Sequence, residues 1–166
     1  MSKKGIVVLA TAIVAVFFTV TPFALAEDKE ITRLTLRGIK EVNVVIEAIE
    51  PEIENLGLTQ AQVRADVEAK LREANIAVAL DIERGRPAVY LYVQVVRPDK
   101  IDRLFYSISL SLLQNVTLER DPNVKTNTDT WLVRVLGMSS GTEAIRSDIR
   151  SLLDQFIEDY RKANQK

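Results

Sequence analysis

The chain contains neither cysteine nor histidine among its 166 residues. No disulfide can form, so the core has to hold the fold unaided. Without a thiol or an imidazole, a Ser-His-Asp triad, a Cys-His dyad and a His- or Cys-ligated zinc site cannot be assembled from this chain. Most hydrolase chemistries end at that point. Positive charge is not in excess either: 22 Lys and Arg stand against 23 Asp and Glu. A balance of that kind argues against general nucleic-acid binding, which needs a basic surface to displace counterions from phosphates. Low-complexity linkers and internal repeats are missing, and 47% hydrophobic with 27% charged residues is the composition of one ordinary globular domain.

The one long apolar run is at the N-terminus. Lys3 and Lys4 precede the almost wholly apolar stretch from Ile6 to Val20, and Ala24-Leu25-Ala26 has the A-x-A form of a cleavage site. Residues 1–26 are therefore expected to be a cleaved signal peptide, the alternative being a retained membrane anchor. Cleavage removes Lys3 and Lys4 and leaves 20 basic against 23 acidic side chains. The product is expected in the periplasm or outside the cell, touching a membrane only if the segment is kept. Residues 27–37 read as a charged leader whose Leu34 and Leu36 dock on a single domain over 38–166.

That domain is organised around Leu104 to Arg120. Tyr106, Ile108, Leu110, Leu112, Val116 and Leu118 alternate with Ser107, Ser109, Ser111, Asn115, Thr117 and Glu119, a strand with one dry side. At about 3.3 Å per residue it would run roughly 55 Å, which predicts a bulge or bend. Val42 to Ile49 alternates in the same way from Gly38 onward, and Pro51 with Glu50, Glu52 and Glu54 closes it. Ile76, Val78 and Leu80 predict a short strand, and Ala88 to Val96 a longer one. Asp121-Pro122-Asn123 has the residue types of a type I turn, leading into a return strand from about Lys125 to Leu136.

Two helices are predicted. Thr59 and Gln62 form a capping box, Leu58 and Val63 a hydrophobic staple, and Val63, Val67, Leu71 and Ala74 a stripe, with Asn75 suited to the C-terminal left-handed position. Ser140 with Glu143 gives a second capping box before Ile145, Ile149, Leu152, Leu153, Phe156, Ile157 and Tyr160. The expected fold is thus α+β: a mostly antiparallel sheet in β-α-β-β-β-β-α order with two helices packed on one face.

This order of elements resembles small bacterial envelope modules such as the TolB N-terminal domain and the lipoproteins LpoB and LptE. The Val42–Ile49 strand, the helix LTQAQVRADVEAKLREANI and the strand and turn SISLSLLQNVTLERDP are also similar to an uncharacterised family of exported bacterial α+β proteins. The second resemblance brings no activity with it. With no cysteine after the signal segment, the lipid anchor of the lipoproteins does not carry over.

Several constellations invite chemistry. Gly137-Met138-Ser139-Ser140-Gly141 fits G-x-S-x-G, but Ser139 has no histidine to take its proton, and the motif reads as a link with Ser140 as N-cap. Free amides at that helix start would attract an anion, which Glu143 opposes. Glu47, Glu50, Glu52 and Glu54 form a solvated loop in preference to a divalent-cation site, and turn formation accounts for Asp121, Asn123, Asn127 and Asp129. Arg84 and Arg86 lie at the opposite end of a strand from Arg97 and Arg103, so these arginines make no single patch. The sequon Asn115-Val116-Thr117 falls within a strand. No metal and no cofactor are expected.

The uncovered side of the sheet is the remaining candidate. Tyr90, Tyr92, Gln94, Ser107, Ser109, Ser111, Leu132 and Arg134 are expected to share it, and tyrosine and arginine beside small hydroxyls suit a protein-binding surface. The resulting expectation is an exported, non-catalytic accessory or binding protein whose open face or ribbon holds an envelope protein or a second copy. The alternatives are a carrier of a small apolar ligand between sheet and helices and, third, a carboxylate-dependent enzyme.

Overall fold

A computed structural model describes residues 29–165; the expected signal peptide lies outside them. The strands are β1 Glu41–Ile46, β2 Ala77–Val78, β3 Ala88–Val96, β4 Leu104–Leu118 and β5 Asp121–Ser139. They form one sheet in the order β2-β1-β3-β4-β5. β1 is parallel to both β2 and β3, whereas β3-β4 and β4-β5 are antiparallel. Because β4 and β5 are 15 and 19 residues long and β1 and β2 only 6 and 2, antiparallel pairing dominates. The fold is α+β, as the alternation required.

Sidedness follows from the pleat. Tyr106, Ile108, Leu110 and Leu112 of β4 are buried beside Val89, Leu91, Val93 and Val95 of β3 and Trp131 of β5. Helix α3, Gln60–Glu73, covers this face with Val63, Val67 and Leu71, and helix α4, Thr142–Asn164, with Ile145, Ile149, Leu152, Leu153, Phe156 and Ile157. Trp131 meets Phe156 edge-on at 5.1 Å between centroids. Every one of these side chains is on the side that the two-residue and 3.6-residue periods assign to it.

Two short helices add to the expected order. The segment read as a leader contains α1, Lys29–Leu34, and its docking is divided: Leu36 is sealed while Leu34 is 45% exposed. Pro51 and the acids after it form α2, Pro51–Glu54, rather than a loop, with Pro51 in the first turn, where its missing N–H is harmless.

The ends of elements depart most from expectation. Thr59 caps α3, its hydroxyl accepting from the Gln62 amide at 3.3 Å, but the Gln62 side chain accepts from Arg146 instead of closing the box. Asn75 takes φ of 62° and the Ile76 amide donates to the Leu71 carbonyl at 2.9 Å, the expected C-terminal motif. Ser140 does not cap α4. Gly141 is the N-cap and no side chain bonds the free amides. The reason is that β5 continues to Ser139, so the turn into the helix falls one residue late for Ser140.

Similarly, Asp121-Pro122-Asn123 is not the hairpin turn. β4 runs to Leu118, Leu118 pairs with Asp121, and Glu119-Arg120 makes the turn. The next register pair is Thr117 with Lys125, so Pro122 lies in a bulge, where it owes no hydrogen bond to the ladder. A second bulge leaves Thr130 unpaired between Leu112–Trp131 and Leu113–Asp129. It meets the bend expected of so long a strand. Beyond it the ribbon leaves the cover of the helices, and Asp121 to Asp129 are all exposed. Leu80 is also corrected: β2 ends at Val78, the Asn43 side chain holds the Glu83 backbone, and Leu80 is 96% exposed as the chain swings away.

Candidate functional site

The helix-free face of the sheet is laid out by register. Tyr90, Tyr92 and Gln94 of β3 pair with Ser111, Ser109 and Ser107 of β4, which pair in turn with Leu132, Arg134 and Leu136 of β5. On the far side of β3, Val45 pairs with Tyr90, and Glu47 follows in line with Tyr92, its amide donating to the Leu91 carbonyl at 3.0 Å. The face therefore has a column of large side chains on β3, a column of serines on β4, and apolar and cationic residues on β5. All eight residues expected on the open face are on it.

Within that face a groove of about 420 Å³ brings six of them together: Tyr90, Tyr92, Ser109, Ser111, Leu132 and Arg134. Gln94 and Ser107 lie one row beyond it. Ser111 is only 3% exposed, so the hydroxyl side is not uniformly wet; the serines form the floor, with Tyr90 and Tyr92 as one wall and Leu132 and Arg134 as the other. Glu47, Leu113 and Asp129 complete the lining. Sequence reasoning placed Glu47 and Asp129 in unrelated acidic clusters, and only the register of β1 and the Thr130 bulge bring them here. The side chains of Arg134 and Glu47 have no ion-pair or hydrogen-bond partner among the described residues.

At the end nearer the β3–β4 turn the face becomes apolar. Val96, Phe105 and Met138 form one cross-strand row, exposed in each case, and Leu136 in the next row is 80% exposed.

The other constellations are accounted for locally. Ser139 donates to the Gly141 carbonyl at 2.7 Å, a turn contact. Glu143 faces Arg150 at 2.8 Å, and that hydrogen bond is the main cause holding its carboxyl below the usual range. Arg86 pairs with Glu41 and Glu83, and Arg97 approaches Asp102 at 3.8 Å, at opposite ends of β3. Glu54 accepts from the Gln60 amide, Asp121 from the Asn123 amide, and Asn127 donates to Asn115 across the ribbon. Among the described residues no three Asp or Glu converge as metal ligands would. A larger hollow of about 510 Å³ lies at the Arg97–Asp102 turn, but its rim alternates in charge and lacks aromatic walls.

One partly buried pair was not foreseen. The Tyr106 hydroxyl donates to Asp148 at 2.7 Å, and burial, then that hydrogen bond and the nearby charge, push the phenol up to about 12. It ties β4 to α4.

No protein-family model matches the chain, and no curated protein matches it in sequence. Among solved structures, a minor lipoprotein from Acinetobacter baumannii is similar over 75% of this chain and 92% of its own, with 10% identity and a TM-score of 0.30. From a likeness that slight nothing is carried over to this chain.

Proposed function

We propose that this is an exported accessory or binding protein of the bacterial envelope, non-catalytic, which holds a partner protein on the open face of its sheet. The observation that carries the reading is the groove over Ser109 and Ser111, walled by Tyr90, Tyr92, Leu132 and Arg134, on a face that no helix covers and where Arg134 has no partner among the described residues. Rigid aromatic area beside a cation is the composition of protein-binding hot spots, with the small serines leaving room between the walls, and among the described residues no cluster of acids there could hold a metal. The ribbon past Leu112 extends the same face with an exposed strand edge, the feature through which sheets recruit other chains.

The carrier reading finds less support. Leu36, Ile108, Leu110, Leu153 and Phe156 fill the space between sheet and helices, and the opening between α3 and α4 holds about 10 Å³. Among the described residues no helix is long and apolar enough to cross a membrane.

Affinity capture from envelope extracts, combined with light scattering, tests the proposal. The protein is expected to recover a specific component or to associate with itself, and Tyr92→Ala is expected to weaken that interaction at least about tenfold, as truncating a hot-spot aromatic does. A strict monomer that recovers no envelope component would contradict the reading.

A further inference from the structure

We propose that the occupant of the groove is a second copy of the same face, packed sheet to sheet about a two-fold axis that runs parallel to the strands between β3 and β4. This rests on reading the face as a docking surface and names what docks.

Size complementarity is the first ground. The two-fold exchanges the columns on either side of the axis, so the tyrosine column of one copy lies over the serine column of the other. Tyr92 faces the partner copy's Ser109 position, and Tyr90 faces the Ser111 position, because Tyr92–Ser109 and Tyr90–Ser111 are register pairs. The wall of each copy enters the groove of its mate. Sheets packed in this aligned manner sit about 10 Å apart and cross at about 30°, with interdigitated side chains.

Charge is the second ground. Glu47, Tyr92, Ser109 and Arg134 occupy one row across β1, β3, β4 and β5, acid at one end and base at the other. Three strand spacings, about 14 Å, separate the two charges within one copy, too far for an ion pair. Reversing the row about the axis sets Glu47 of each copy over Arg134 of the other, giving two ion pairs from side chains that lack partners in the single chain. The same operation places Val45 over Leu132 and Val96 over Phe105, apolar on apolar. The area is sufficient for a weak dimer: four strands by four rows give a footprint of about 500 Å² per copy, about 1,000 Å² in total, at the lower limit of specific interfaces.

Sedimentation velocity on the purified protein over a concentration series tests this. A monomer–dimer equilibrium in the micromolar range is expected, weakening with salt. Glu47→Arg and Arg134→Glu should each raise the dissociation constant about tenfold or more by setting like charges face to face. The double variant Glu47→Arg/Arg134→Glu should restore it to within about threefold, since the pairs are remade with their signs exchanged. Ser109→Trp, which blocks the seat for Tyr92, should leave only monomer while circular dichroism shows the fold intact. A dimer indifferent to these substitutions, or single variants that the double fails to rescue, would overturn the arrangement. A monomer at all concentrations that still captures an envelope protein through Tyr92 would overturn self-pairing and leave the docking face standing; a monomer that captures nothing would remove both.

Discussion

Gly137 shows how much one side chain decides. It pairs across strands with Tyr106, whose ring lies directly over it, and a Cβ there would fall inside the ring's van der Waals surface. In the sequence this glycine opens a G-x-S-x-G match that reads as a link; in the fold it leaves room for a ring. Gly137→Ala is therefore expected to lower stability by about 1–3 kcal/mol, the usual cost of overpacking, read as a fall in the urea midpoint. The Tyr106 hydroxyl adds a dependence on pH. Its folded value, about 12, is raised above 10.0, so its contribution is complete below pH 10 and is lost as pH climbs towards 12, where the unfolded chain ionises first. Melting temperatures of the wild type should fall across that window more steeply than those of Tyr106→Phe; parallel curves would contradict the assignment. The pairing of position 106 with position 148 could not be read from the chain, because the two meet only when α4 lies across β4.

The starts of helices divide legible signals from illegible ones. Thr59 and Ser140 look alike in sequence, each followed three residues later by Gln or Glu, yet Thr59 caps its helix and Ser140 does not. Thr59→Ala should cost about 1 kcal/mol and Ser140→Ala no more than about 0.5 kcal/mol in chemical denaturation. Equal losses would mean that α4 is capped as its sequence suggested. Strands behave in the same way. The alternation along Tyr106 to Leu112 assigned faces correctly, since burying the wrong set would expose a whole row of apolar side chains. Neither bulge was legible in detail: a single unpaired residue at Thr130 and the loop around Pro122 leave the composition of the strand unchanged while shifting the register after them. Beyond the cover of α3 and α4, the ribbon from Gln114 to Thr128 should exchange its amide hydrogens faster than Leu104 to Leu112, a contrast that hydrogen-exchange mass spectrometry resolves.

For the molecule as a whole, the stretch from Lys29 to Ile39 ties the N-terminal end of the fold to the C-terminal helix. Arg33 bonds Asp159 at 2.9 Å, Trp131 donates its indole N–H to the same carboxylate at 3.1 Å, Tyr160 donates to the Ile39 carbonyl, and Asn164 holds both Leu36 and Gly38. Asp159→Ala leaves the buried indole without an acceptor and releases the Arg33 guanidinium. It should cost about 1–3 kcal/mol and open residues 29–39 to limited proteolysis before the rest of the chain. Leu34 and Leu36 announced docking of this stretch but not these polar ties, whose partners are more than a hundred residues away. Composition and periodicity by themselves determined that the chain is an α+β domain without thiol or imidazole chemistry, which side of the helix-covered strands is dry, and which residues share the open face. These follow from side-chain chemistry and from repeats of 2 and 3.6 that every segment carries locally. Tertiary structure alone decided the strand order, the bulges, and the gathering of Glu47 and Asp129 into one groove with Tyr92 and Arg134, since each depends on which distant segments become neighbours.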